Sequence, residues 1–150
     1  MKRTILPLIL LALLLTACVP EKSVTPVAAT QQVLKVGDGS VEKVYTADDL
    51  KALGLAQAVF KEVAYLGVPL SVLIKDAGFD PSQVKAVKAV AVDGFSANYE
   101  PALFNKEDTL VAYARVDGPL AEDEAPFRMV LPGQEGKLNP RQLVEIQIIQ

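Results

Sequence analysis

The chain has no histidine and no tryptophan, and its 150 residues include a single cysteine, Cys18. Without imidazole there is no Ser–His or Cys–His nucleophilic pair, so no catalytic residue of that kind is expected. Metal sites built on histidine and cysteine are excluded on the same ground, and no metal ligand is expected. A glycine-rich phosphate loop of the P-loop or dinucleotide type is also missing. A basic excess is lacking as well: 15 Lys and Arg face 18 Asp and Glu, a formal charge of −3. Nucleic-acid binding depends on cationic contacts to phosphates, so no nucleic acid is expected as a partner.

The longest apolar run lies at the start. Lys2 and Arg3 precede Ile5 to Leu15, broken only by Pro7, and Leu15-Thr16-Ala17-Cys18 follows. A short positive region, an apolar stretch and small residues before a cut site predict a secretory signal over residues 1–17, too short to span a bilayer comfortably. The Leu-Thr-Ala-Cys end resembles a bacterial lipobox, which implies an acylated Cys18 as the first mature residue. Lipidation also accounts for a lone cysteine in an exported protein. Without Lys2 and Arg3 the chain keeps 13 basic and 18 acidic side chains, a net of −5. Residues 18–32, with Pro20 and Pro26 among small and polar residues, predict a lipidated tether. The expectation is an exported protein anchored to the cell membrane or outer membrane by its N-terminal lipid.

Residues 33–150 carry the periodicities of one folded domain, with half the residues of the chain apolar and 22% charged. Gln32–Val36 and Val41–Tyr45 flank Gly37-Asp38-Gly39-Ser40 and predict a hairpin. Thr46 before Ala47-Asp48-Asp49 marks a helix start, and the helix should run through Leu50 and Leu53 to Gly54. Phe60–Tyr65 alternates as a strand, and Pro69 opens a helix over Leu70–Ala77 that Gly78 closes. Further strands are predicted over 85–92, 95–99, 109–116, 127–131 and 143–149, with turns at Asp80-Pro81, Asp93-Gly94 and Asp117-Gly118 and a helical turn after Pro101. About seven strands with two or three short helices predict an α+β domain, mostly antiparallel. Leu70, Leu73, Ile74, Val90, Val92, Val111, Val130 and Ile146 are the expected core.

Polar groups at strand ends are the remaining candidates for function: Ser96, Asn98, Tyr99, Tyr113, Arg115, Arg128 and Arg141. Arginine holds phosphate or sulfate through paired donors, whereas an ordinary arginine here would answer the carboxylate excess. Glu122-Asp123-Glu124 lacks the spaced oxygens of a calcium loop and reads as a solvated loop. Phe127–Leu131 is expected to be a central strand ended by Pro132-Gly133, with residues 134–142 an exposed loop. That arrangement would set Arg128 and Arg141 on one rim beside Ser96 and Tyr99, as a candidate site for a small anion. An envelope protein is the other candidate partner.

Five segments in order resemble the molybdopterin-binding domain of the sulfite oxidase family of oxidoreductases. They are YTADDLKAL, YLGVPLSVLIKDAG, AVAVDGFSANYE, LVAYARVDGPL and APFRMVLPG, together about two-thirds of the chain. The resemblance implies the single mixed α+β domain of that family. It also implies a molybdenum-binding thiolate just before Tyr65, where Val59–Ala64 holds no cysteine. Two lysines and a tryptophan after the Pro-Gly would seat the pterin phosphate; Leu138, Arg141 and Gln142 take those places. The family's cofactor-contacting histidines have no counterpart. The sequence therefore predicts a non-catalytic binding or interaction module without cofactor. The alternative is a molybdopterin-dependent oxidoreductase subunit.

Overall fold

The computed structural model describes residues 32–150. The expected signal peptide, Cys18 and nearly all of the expected tether lie outside the described residues. Ten strands, three short helices and one 3-10 turn follow.

Strands β1 (Leu34–Gly37) and β2 (Glu42–Tyr45) form the expected hairpin. Helix α1 (Ala47–Ala52) begins at Thr46 with a full capping box: the Thr46 hydroxyl accepts from the Asp49 N–H, and the Asp49 carboxylate accepts from the Thr46 N–H. Strands β3 (Ala56–Phe60) and β4 (Val63–Pro69) follow, then helix α2 (Leu70–Asp76). At the end of α2, Asp76 accepts from Tyr45 Oη at 2.8 Å and from Lys43 Nζ at 2.6 Å, which ties the helix to β2. Strands β5 (Ala86–Ala91) and β6 (Ser96–Tyr99), helix α3 (Pro101–Phe104) and strand β7 (Leu110–Arg115) come next. Strands β8 (Gly118–Pro119) and β9 (Arg128–Val130), the 3-10 turn Gly136–Leu138 and strand β10 (Leu143–Ile149) complete the chain.

The strands make two sheets. One runs β2-β1-β10-β5-β6, and the other runs β3-β4-β7-β8 with β9 also paired to β7. Among the described residues only β1 and β10 pair in parallel; every other pairing is antiparallel. Between the sheets and helices lies a large core that includes Leu34, Leu50, Leu70, Leu73, Ile74, Phe104 and Ile146. A smaller cluster around Phe60, Tyr65, Leu110 and Val130 sits on the other side of the second sheet. Gly67 lets β4 approach β7: a Cβ there would stand 2.4 Å from the Val111 carbonyl oxygen.

Several sequence expectations are corrected. Phe60–Tyr65 is not one strand but a hairpin whose two loop residues, Lys61 (φ 48°) and Glu62 (φ 67°), are both left-handed. Such turns favour Asn-Gly, and Lys-Glu gives no such signal. Val92 is 64% exposed and Val90 only half-buried, while Val87, Ala89 and Ala91 face the core. Both faces of β5 are rich in Ala and Val, so its parity was not legible, and a one-residue slip exchanges the faces. Strand β9 is short and pairs with β7 alone, not central; its other edge is taken by Met129 N–H to Pro140 O and Leu143 N–H to Phe127 O. Residues 134–142 are not uniformly exposed, because Asn139 and Pro140 are buried. Asn139 is buried because its side chain accepts from the Leu131 N–H at 2.6 Å and donates to the Glu135 carbonyl at 3.0 Å. Leu70, Leu73, Ile74, Val111, Val130 and Ile146 are in the core as expected.

Candidate functional site

The turn after β8 ends in Glu124, and four residues later the chain enters β9 at Arg128. Both side chains are buried, at 5% and 3% exposure. Burying two charges costs several kcal/mol each unless they are paired and hydrogen-bonded. Here the pairing is dense. Arg128 Nη1 donates to Glu124 Oε1 at 2.5 Å and to Tyr65 Oη at 2.9 Å, and its Nε donates to the Met129 carbonyl at 3.2 Å. Arg115, at the end of β7, donates Nη2 to Glu124 Oε2 at 2.7 Å and Nε to the same oxygen at 3.0 Å. Tyr65 Oη donates to Glu124 Oε1 at 2.8 Å. The Arg128 guanidinium lies 4.6 Å from the Tyr65 ring centre and 5.4 Å from that of Phe60, so two rings hold it by cation–π contact.

Burial works to raise the pKa of Glu124, but the hydrogen bonds from Tyr65 and Arg115 and the charge of Arg128 outweigh it and hold the carboxyl below its ordinary value. Tyr65 is pushed up, first by burial and then by the Glu124 carboxylate. Arg128 Nη2 has no partner among the described residues. No buried side-chain nitrogen or oxygen there lacks a partner, so Nη2 retains some exposure.

Above this network opens a cleft of about 430 Å³, lined by Tyr65, Arg115, Glu124 and Arg128, with Lys61 from the β3–β4 turn and Arg141 at its edge. Four cations therefore line the cleft with one carboxylate, in a chain whose net charge is negative. Arg141 also lines an adjoining cleft of about 340 Å³ and pairs with the exposed Asp123.

The structure thus brings Arg128 and Arg141 to one cleft, as expected, and Arg115 with them. It does not bring Ser96 or Tyr99. Ser96 is half-buried on the edge strand β6 and lines neither cleft, and Tyr99 is fully buried with its hydroxyl donating to the Leu138 carbonyl at 3.0 Å. The reading of Glu122-Asp123-Glu124 as a solvated loop is corrected for Glu124, which is the buried hub of the site. Tyr65 and Lys61 were also missed as site residues. An acidic run does not say which of its members turns inward, and the turn that aims Lys61 leaves no composition signal.

The sequence pattern of the oxidoreductase molybdopterin binding domain matches residues 30–150. The chain belongs to that family. Among solved structures, the fold is similar to one in the sulfane dehydrogenase SoxCD from Paracoccus pantotrophus, with a TM-score of 0.63 at 22% identity. The match covers 80% of this chain and 39% of that one, so the chain spans well under half of the neighbour's length. At this identity the likeness speaks to fold alone. No curated protein matches the sequence. In this family member the described cleft offers guanidinium, ammonium, phenol, carboxylate and amide groups, with neither thiol nor imidazole among them.

Proposed function

We propose that this member of the molybdopterin-binding domain family is an exported lipoprotein, held through Cys18 to the cell membrane or outer membrane, whose domain is a non-catalytic binding module for a small anion. One observation carries the reading: Lys61, Arg115, Arg128 and Arg141 converge on a cleft that contains no sulfur ligand. Cations with spare N–H donors suit a phosphate or sulfate group. A molybdenum centre of this family asks for a soft thiolate, and the stretch Val59–Ala64, where the resemblance sets it, holds no cysteine. The residues present do not fit the metal, and no chemical step is assigned to it. Lys61 adds positive charge within the stretch where the resemblance sets an anionic sulfur.

The test uses the full chain purified from a host that makes molybdopterin. It should carry no stoichiometric molybdenum, and it should neither oxidise sulfite nor reduce sulfoxides. Inorganic phosphate should raise its melting temperature, and Arg141→Ala should shrink that rise. Cys18→Ser should leave the fold intact and shift the protein out of the membrane fraction. About one molybdenum per chain, lost with Arg141→Ala, would overturn the module in favour of a molybdopterin-dependent oxidoreductase subunit. A serine variant that still partitioned with membranes after signal cleavage would sink the lipid anchor.

A further inference from the structure

A sheet edge with unpaired N–H and C=O groups is a template for another strand, and proteins blunt such edges with charge, brevity or cover. Three of the four strands that end the two sheet orders are blunted, and β9, beside β8 on β7, has its outer edge bonded to Pro140 and Leu143. Strand β2 carries Glu42 and Lys43, each in an ion pair. Strand β6 is polar on its outer face and fastened to the 3-10 turn through Tyr99 and Leu138. Strand β8 is only two residues long. The fourth, β3, reads Ala-Gln-Ala-Val-Phe: five residues without charge, hydrogen-bonded among the described residues to β4 alone.

The register says which groups of β3 are open. Phe60 and Val63 close a two-residue turn, so they are a hydrogen-bonded pair, as are Ala58–Tyr65 and Ala56–Gly67 in alternation. Gln57 and Val59 therefore direct their N–H and C=O groups away from the sheet. Their side chains share the outer face with Leu55, and Leu55 and Val59 are 71% and 51% exposed.

We infer that β3 pairs with β3 of a second copy of this chain, antiparallel about a two-fold axis at Ala58. In that register Gln57 of one copy faces Val59 of the other, twice, and each pair exchanges both backbone bonds that are open in the single chain. The two-fold also brings Lys61 of each copy to the Ala56 end of its partner's strand. Glu107 and Asp108 lie at that end, lining a groove with Ala56 and Gln57. Lys61, Glu107 and Asp108 make no ion pair among the described residues, so the charges at the strand ends are complementary. Joining the edges turns two sheets into one continuous sheet and covers Val59 in each copy. The backbone pairing does not depend on what the cleft binds; Lys61 borders both the cleft and the joined edge.

Paired cysteines test the register in the intact protein. Full chains carrying Gln57→Cys and full chains carrying Val59→Cys are expressed together and exposed to a mild oxidant in the membrane. Residues facing each other as a hydrogen-bonded pair stand about 5.5 Å apart at Cα, within disulfide reach. The mixture should give at least tenfold more disulfide dimer than either variant alone, over the background set by wild type, whose sole cysteine is Cys18. Separately, the purified full chain should sediment as a dimer at tens of micromolar and dissociate on dilution. Val59→Lys should make it monomeric at the same concentration, with the melting temperature of diluted, monomeric wild type, because position 59 is exposed. A mixture that crosslinks no better than the single variants, a wild-type monomer at every concentration (including one whose edge another protein fills), or a dimer that survives Val59→Lys would each overturn the pairing.

Discussion

Glu124 is the residue on which the site turns. It answers two arginines and a tyrosine from three different strands, so its charge and not its volume does the joining. Glu124→Gln keeps the shape but leaves Arg128 buried without a counter-charge, a loss that typically costs about 3–5 kcal/mol. The pH dependence follows from the direction of its shift. The folded carboxyl lies below its ordinary value of 4.5, so its contribution is complete above that pH and drains away as pH falls through the lower folded value. Urea midpoints of wild type and Glu124→Gln should therefore stand far apart at pH 7 and draw together at the most acidic pH where both still fold. An equal gap at both would show that the carboxylate is not the charged partner. At this scale the sequence was half legible. Arg128 and Arg141 were marked by type and position, and both line one cleft. Nothing in Glu122-Asp123-Glu124 separates the inward member from the two exposed ones. Tyr99 was misplaced because alternation along β6 turns it, with Ala97, into the core.

Elements were legible where a local group forces the backbone. Thr46 and Asp49 cap α1 by side-chain bonds that the spacing alone announces, and Gly78 adopts φ 97° to end the turn after α2. The β3–β4 hairpin has no such sign. Its loop is left-handed at Lys61 and Glu62, where L residues with a Cβ are strained, and only the cross-strand pairing around it enforces the turn. Relieving that strain should show. Lys61→Asn with Glu62→Gly supplies the pair that such turns prefer and should stabilise the protein by about 1 kcal/mol, read as a higher urea midpoint at unchanged slope. An unchanged or lower midpoint would mean that the loop does not hold these angles. The same change removes the Lys61 ammonium from the cleft, so phosphate should protect the double variant less than wild type. Strand β5 failed for the opposite reason: its local signals were plentiful on both faces, and only packing against the rest of the molecule chose between them.

Across the whole molecule, the two apolar clusters are not independent. Neighbouring residues of β7 feed both: Val111 faces the large core, while Leu110 and Ala112 face the small one. Strand β9 does the same with Met129 and Val130, and its outer edge is bonded to the segment that leads into β10 of the other sheet. A strand that loses one face loses the other, so the clusters should melt together in one transition. Leu73 is fully buried in the large core and Val130 in the small one, and truncating either to alanine should cost about 2–4 kcal/mol through lost burial and the cavity left behind. The test is where the loss is felt. The chain has no tryptophan, so tyrosine fluorescence reports the clusters directly, with Tyr65 in the small one and Tyr45 and Tyr99 in the large. Urea curves followed by tyrosine fluorescence and by far-ultraviolet circular dichroism should coincide in wild type, Leu73→Ala and Val130→Ala alike. If Val130→Ala instead splits the curve, with Tyr65 released while the rest stays folded, the small cluster is a separate unit. The cleft would then rest on a layer able to open by itself, and phosphate should close the split by binding the ordered form.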